Sequence, residues 1–519
     1  RPDVARAGWI MMASLLASRL LGLVRDAVIA GMFGQSAERD AYVLSFQIPD
    51  LIFFLVAGGA LSSAFIPVFS EYLHTGREDD AWKVFSVVVS VMSVILVVVI
   101  AAAWVAAPWL AGVVAPGRPE LHPMIAQLSR VVLPAQFAFF IGGILFGTLY
   151  ARQVFAVPGL GPNVYNLGII TGGLVLSHFL SPGVLGLSWG ALVGAVVGNL
   201  VIPLLVMRKL GMVFNFSFDL KHPGVQKVFR LMAPVVLGLS LPGVFGMILN
   251  FFGSFYGTGV VSALDNSNRI VQAPLAIFGQ SLAIAAFPAL SQFFAQGRMD
   301  AYRDQVASTL RTVFFLAVPA SAILIAMPTS VVRLLLEHGA FGPVETARTI
   351  ETLRPFAFGV AAWCAQPLLM RAFFSIQKTV TPIILGSVAT AVFVGLAALA
   401  TSSKWPPAAL TTAGTAAATV LVVMMLVAIN RSVDQIDFSG ILRTLGLAGV
   451  CVVPSAGLWW ALDRFVVQPN PGKAPAALAL LIGGLAGVWV YYWLAKRAGM
   501  REAAYLERAT ARLQHPGQS

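Results

Sequence analysis

The stretch that decides the fold class is VFSVVVSVMSVILVVVIAAAWVAA, residues 84–107. It holds no charged side chain and no alternation of polar and apolar positions. Crossing about 30 Å of hydrocarbon takes roughly 20 apolar residues in a helix. A continuous run of this kind favours a helix over a barrel strand, whose pattern would alternate. Ile383–Ala400 and Ala476–Ala495 read the same way. Across all 519 residues, 58% are hydrophobic and 11% charged, against about 25% charged in a soluble globular protein. Too few charges exist to cover a water-facing surface, so most of the surface faces lipid. In lipid every backbone N–H and C=O must be satisfied internally, which leaves helices as the spanning element.

Fourteen candidate spans follow from this reading: 8–34, 41–72, 82–114, 124–150, 160–180, 184–207, 228–256, 261–294, 308–336, 348–375, 380–401, 407–430, 440–465 and 474–497. An even number puts both termini on one side. Most of the 34 Lys and Arg then fall on the face shared by the termini, notably Arg208, Lys209, Lys221, Lys227 and Arg230. By the positive-inside rule that face is cytoplasmic. The same rule accounts for the net charge of +12, and no nucleic-acid motif accompanies it. The first segment is long enough to be a permanent helix that serves as the insertion signal. Cys364 and Cys451 stand alone in apolar segments and read as isolated core thiols.

An internal repeat is legible. Ala64-Phe65-Ile66-Pro67-Val68-Phe69-Ser70, then Gly76-Arg77, resembles Ala285-Ala286-Phe287-Pro288-Ala289-Leu290-Ser291, then Gly297-Arg298. Gly58 aligns with Gly279, and Gln153 with Pro158 matches Gln377 with Pro382. Six spans separate the copies, so the halves share one orientation, which implies a pseudo-two-fold along the membrane normal with a cavity between halves. The expected organisation is all-α and integral to the membrane: a six-helix lobe over 1–210, a second over 211–432, two additional helices over 433–498, and a cytoplasmic tail over 499–519.

The chemistry lies in charges within spans. Residues 17–26 read Ala-Ser-Arg-Leu-Leu-Gly-Leu-Val-Arg-Asp. An intramembrane charge costs roughly 2.5–3.5 kcal/mol on insertion scales and marks a functional site by default. Arg19 and Asp26, seven apart, share a helix face, with Gly22 between them; Arg25 is turned about 100° from Asp26, so the two are not expected to form a simple intrahelical bridge. A local packing role for Arg25 stands beside the cavity reading. The eighth span adds Asp265, Asn266, Asn268 and Arg269, although Arg269 near a span end also fits a loop. Guanidinium groups with few carboxylates nearby suit a diphosphate. Pro49, Pro67, Pro242, Pro274 and Pro288 interrupt spans and serve equally as packing features or hinges. Asn163, Asn166 and Asn250 receive no role beyond glue between helices. No phosphate-binding loop, metal-ligand spacing or nucleophile with a base is present, so no cofactor, no metal and no enzyme activity is expected.

The run Ser18-Arg19-Leu20-Leu21-Gly22-Leu23-Val24-Arg25-Asp26, with Phe33-Gly34, Asp40-Ala41-Tyr42, Gly59-Ala60-Leu61-Ser62-Ser63-Ala64-Phe65-Ile66-Pro67 and Asn268-Arg269, strongly resembles the MurJ (MviN) family of the MOP exporter superfamily. The resemblance implies two six-helix lobes plus two helices bordering a lipid-tail groove. It implies a flippase of the bacterial inner membrane, without covalent catalysis, that moves lipid II, the undecaprenyl-diphosphate-linked peptidoglycan precursor. It further implies that Arg19, Arg25 and Arg269 hold the diphosphate, with Asp26 and Asp40 matching family acids. Phe53 and Gly58 depart from the arginine and glutamate common in the family. The eleventh span carries no carboxylate, so the sodium site of some relatives is not expected. Rival readings are export of another lipid-linked oligosaccharide, a MATE-like drug exporter, and a scaffold recruiting cell-wall synthesis proteins.

Overall fold

The computed structural model describes the backbone of residues 2–56, 60–152, 154, 156–236 and 241–503. Helices account for the regular structure throughout, and among the described residues the only β feature is an isolated bridge, His338 to Phe341. Among the described residues nine helices are long and apolar enough to cross a membrane, and a tenth span forms if Pro343–Ala357 and Val360–Ser375, bent by 50°, are taken together. Apolar faces point outward, as lipid as solvent requires: in Glu78–Val114, Val97, Val98, Val105 and Trp109 are exposed while Leu96, Ala103, Ala107 and Ala111 are buried.

Several expected spans are divided. Segment 41–72 is three helices, Ala37–Ser45, Gln47–Val56 and Ala60–His74. Pro49 lies in the first turn of the second of these, where a missing N–H costs nothing. Segment 261–294, by contrast, stays one span, Val260–Ala295, whose helix passes through a π-helical turn beginning immediately after Pro274.

Two compact units divide the chain. The first comprises residues 1–239, 254–262 and 338–341; the second comprises 240–253, 263–337 and 342–519. In the first unit, Phe65, Phe69, Trp82 and Phe85 form an aromatic cluster against Ile144, Leu145 and Leu149. Helix Pro2–Phe33 packs on Ala156–Leu174, which packs on Leu185–Ala195. The last contact is backbone on backbone: a Cβ at Gly168 would lie 2.5 Å from the Gly190 carbonyl oxygen. Small residues permit this approach where no hydrophobic effect drives helices together.

In the second unit, Met299–Ala326 packs on Val360–Ser375 and on Phe438–Leu462. Tyr302 donates to the Ala372 carbonyl (2.8 Å) and Tyr491 to the Phe315 carbonyl (2.8 Å). Ser455 and Trp459 bond the Gly487 and Gly483 carbonyls. The final helices are thereby fastened by buried side-chain to backbone bonds, which replace the freedom a lipid-facing helix would otherwise have. Cys364 and Cys451 are buried free thiols.

The repeat is visible in local geometry. Ala60–His74 contains Pro67 and is followed by Gly76 at φ +74°; Ser281–Ala295 contains Pro288 and is followed by Gly297 at φ +67°. Left-handed backbone at both sites is what glycine supplies without a Cβ penalty. Arg77 N–H bonds the Tyr72 carbonyl and its guanidinium covers the Tyr72 ring at 4.8 Å. Arg298 N–H bonds the Phe293 carbonyl and its guanidinium covers the Phe293 ring at 5.1 Å. Gln153 and Gly58 lie outside the described residues.

Candidate functional site

The first unit brings a largely buried charge pair, Arg25 and Asp26, to a contact between two helices. Ser14, Ser18 and Arg25 recur at helical spacing along one face of Pro2–Phe33. Gly159, Asn163 and Asn166 do the same on Ala156–Leu174. The two faces meet through hydrogen bonds. Ser14 donates to the Gly159 carbonyl (2.6 Å), the Asn163 amide to Ser14 Oγ (3.1 Å), and the Asn166 amide to the Ser18 carbonyl (3.2 Å). At the end of this ladder Arg25 Nη1 donates to Asn166 Oδ1 (3.0 Å), while Nε and Nη2 donate to Asp26 Oδ1 at 3.0 and 2.8 Å. Arg25 and Asp26 side chains are 17% and 15% exposed.

The sequence argument that Arg25 and Asp26 would not pair is therefore overturned. A helical wheel gives the direction of each Cβ, but the long arginine side chain bends back across 100° and reaches the neighbouring carboxylate. Asn166 was also underestimated. Its signal was available, since Asn163 and Asn166 share a face and an intramembrane arginine requires a polar acceptor on some neighbouring helix. Arg19 is exposed on the same helix with no partner among the described residues, beside exposed Leu20, Leu23 and Val24. The space next to Gly22 is open.

Asp40 is placed differently. It is fully buried, and both carboxylate oxygens are committed: Oδ2 accepts from Gly259 N–H (2.7 Å), and Oδ1 from Ser262 N–H (2.9 Å) and Ser262 Oγ–H (2.6 Å). Arg118 lies 3.5 Å away and also donates to Thr258 Oγ1 at 3.1 Å. These are the orphan donors of the first turn of Val260–Pro274, so Asp40 caps that helix from another part of the chain. Phe53, at the position where the family commonly has arginine, is half-buried and packs on Phe140 (ring centroids 5.5 Å).

In the second unit Arg269 lies on helix Val260–Pro274 rather than in a loop, and pairs with Asp265 one turn earlier (Nε to Oδ2, 2.7 Å). Its side chain is 43% exposed. Both Arg25 and Arg269 thus have a carboxylate within hydrogen-bond distance, contrary to the expectation of few carboxylates nearby.

A cavity of about 570 Å³ in this unit is lined by Asn268, Gln272, Gln280, Gln366 and Arg371 together with aromatic walls that include Phe245, Phe356 and Trp363. Gln366 is buried, and Trp363 Nε1 is a buried donor without an acceptor among the described residues. Neutral amides, one guanidinium and flat aromatic faces suit a polar, sugar-like guest more than a hydrocarbon. The sequence reading did not single out Arg371, because a basic residue near a span end looks like a topology signal. No three His, Cys, Asp or Glu side chains among the described residues converge as a metal site.

Comparison with known proteins agrees with this architecture. The family described as "Lipid II flippase MurJ" matches residues 29–480; the match begins beyond Arg19, Arg25 and Asp26. A probable lipid II flippase MurJ of Vibrio cholerae is 28% identical, covering 94% of this chain and 95% of that protein. One from Bdellovibrio bacteriovorus is 25% identical, covering 98% of each. Among solved structures, a lipid II flippase MurJ in an inward closed conformation superposes with a TM-score of 0.76 at 21% identity, over 93% of this chain and 97% of that one. An inward-facing multidrug MATE transporter of the MOP superfamily gives 0.65 at 15% identity, over 80% and 95%; at these identities the superpositions speak to fold. With the family match spanning most of its length, the chain belongs to the lipid II flippase MurJ family.

Proposed function

We propose that this chain flips lipid II from the cytoplasmic to the outer leaflet of the bacterial inner membrane by alternating access between two six-helix lobes, with both termini cytoplasmic and two further helices beside the lipid tail. The observation that carries the reading is the bracing of Arg25. A guanidinium has five N–H donors; three are used by Asp26 and Asn166. Five less three leaves two, one on each terminal nitrogen. A pair of N–H groups on one rigid plane matches two oxygens of a phosphate.

In the proposed mechanism Arg19, Arg25 and Arg269 receive the diphosphate, and the amide-lined cavity with Arg371 receives the sugar and peptide portion. Asp26 holds the Arg25 fork in orientation and lowers its net charge. A transporter must release what it binds, and a guanidinium half-neutralised by a neighbouring carboxylate attracts a diphosphate less strongly than a bare one. Asp40 acts as a positioning residue: it fixes the start of the helix that carries Arg269. A negative cell interior favours outward movement of negative charge by about 2.3 kcal/mol per charge per 100 mV.

The test is complementation: a bacterium depleted of its own flippase is given this chain, and lipid II exposed at the outer leaflet is assayed. Restored exposure is expected. A folded, membrane-inserted chain that exposes none sinks lipid II as substrate and moves another lipid-linked oligosaccharide forward. That second reading is favoured by one feature, the Phe53–Phe140 contact where the family commonly has arginine.

A further inference from the structure

The segment Met212–Leu220 joins helices Ile202–Lys209 and Pro223–Val236 and forms neither helix nor strand. It reads Met-Val-Phe-Asn-Phe-Ser-Phe-Asp-Leu. Gly211, at φ +80°, turns the chain out of the preceding helix. The segment then lies along helix Glu78–Val114. Asn215 N–H donates to Ser86 Oγ (3.1 Å) and Ser217 N–H to Ser90 Oγ (3.2 Å). Arg152 holds the start of the segment: it donates to the Leu210 carbonyl, pairs with Glu78 and covers the Trp82 ring at 5.0 Å.

Depth follows from these bonds. Lys83 is the last charge before the uncharged run of its helix. Ser86 and Ser90 lie three and seven residues beyond it, about 4.5 and 10.5 Å further along the axis at 1.5 Å per residue. A loop whose backbone is held there is at the level of the hydrocarbon boundary, where free N–H groups need partners; the two serines supply them. Val213, Asn215, Ser217 and Asp219 line the crevice beside the helix; of the alternate residues, Phe216 and Phe218 are 64% and 51% exposed, and Phe214, 42% exposed, keeps an edge contact with Phe85 of the helix. The flanks are basic. Arg208, Lys209, Lys221 and Arg230 are exposed and have no carboxylate partner among the described residues, whereas Lys227 is paired with Glu71. Between the segment and the helix, a crevice of about 450 Å³ is lined by Asp79, Lys83, Asp219 and His222.

We infer that Met212–Leu220 is an in-plane membrane strap whose phenylalanine comb inserts at the headgroup boundary while Arg208, Lys209, Lys221 and Arg230 bind anionic phospholipid. Aromatic rings prefer this interface, and each Lys or Arg near an anionic surface contributes about fivefold in affinity. Only the assignment to the cytoplasmic leaflet rests on the proposed orientation; the insertion and the lipid preference do not depend on which substrate is transported.

The test uses the full chain in bilayers. Nitroxide labels go on single cysteines at Phe214, Asn215, Phe216, Ser217 and Phe218, with the buried Cys364 and Cys451 left in place. Oxygen relaxation is expected to dominate at 214, 216 and 218, and a water-soluble nickel chelate at 215 and 217. Dominance of the nickel chelate at all five overturns the insertion. A fluorophore at residue 216 is then quenched by nitroxide-labelled phosphatidylglycerol or phosphatidylcholine. Phosphatidylglycerol is expected to quench several-fold better, and the preference is expected to vanish in Arg208→Gln/Lys209→Gln/Lys221→Gln/Arg230→Gln. Equal quenching by both lipids in the otherwise unaltered chain overturns the anionic-lipid site. Should one labelled variant fail to fold, Phe218→Cys serves in place of Phe216→Cys.

Discussion

Arg25 and Arg269 are both intrahelical arginines with a carboxylate beside them, yet their settings differ. Arg25 is 17% exposed, doubly bonded to Asp26 and tied to a second helix through Asn166. Arg269 is 43% exposed and bonded to Asp265 along its own helix. The first is a fixed fork whose aim is set by two helices. The second is a longer-reaching arm on one helix surface. An arginine's charge is common to both; what distinguishes them is how much geometry the surroundings impose, and geometry is what a lysine cannot reproduce.

Substitutions can break this comparison. Arg25→Lys keeps the charge but cannot satisfy Asp26, Asn166 and a phosphate together. Lost hydrogen bonds to charged groups are worth about 1.5–3 kcal/mol each, so flipping at matched membrane level should fall roughly 10- to 100-fold. Arg269→Lys should stay within about threefold of the unaltered chain, since one exposed pair along a helix contributes only about 0.3–0.5 kcal/mol. Equal losses in the two lysine variants would show that charge alone matters. Asn166→Leu removes the cross-helix bond and leaves the Asp26 pair. Flipping should fall several-fold, and melting in detergent should drop by an amount near 1 kcal/mol. No change in either would make the cross-helix bond incidental.

A control pair lies outside the spans. Asp437 caps helix Phe438–Leu462, and its carboxyl is held below the usual 3.8, first by the Gly440 N–H, then by the Ser439 hydroxyl and by the nearby Arg311 and Arg501. A carboxylate with a depressed folded-state pKa stabilises above its unfolded value, and that stabilisation fades as pH falls through the folded value. The small melting difference between the unaltered chain and Asp437→Asn should be constant from pH 7 to 5 and shrink below about pH 4. A difference that grows on acidification would mean the cap acts in its neutral form.

Much of this was readable before any coordinates. Residues 84–107 announce a lipid-spanning helix, and the Pro67–Gly76–Arg77 and Pro288–Gly297–Arg298 repeats foretell two turns alike down to the aromatic ring under each arginine. Arg25 and Arg269 stand out in the sequence because a charge within an apolar run is costly in lipid. Their partners do not. Arg25 reaches Asp26 by bending a long side chain, which no wheel depicts, and it meets Asn166 across a helix packing that 141 residues of chain separate. Asp40 is a candidate only through the family resemblance, as a match to a family acid, and no pattern in the sequence signals the bonds its oxygens accept from Gly259 and Ser262. Arg371 was hidden among the basic residues that set topology.

The most direct test of the central claim is outer-leaflet lipid II exposure in a bacterium depleted of its own flippase and carrying either the unaltered chain or Arg25→Ala at equal membrane levels. The account predicts exposure with the former and a loss of at least about tenfold with the latter. Equal exposure from both would contradict the assignment of Arg25 as the diphosphate fork.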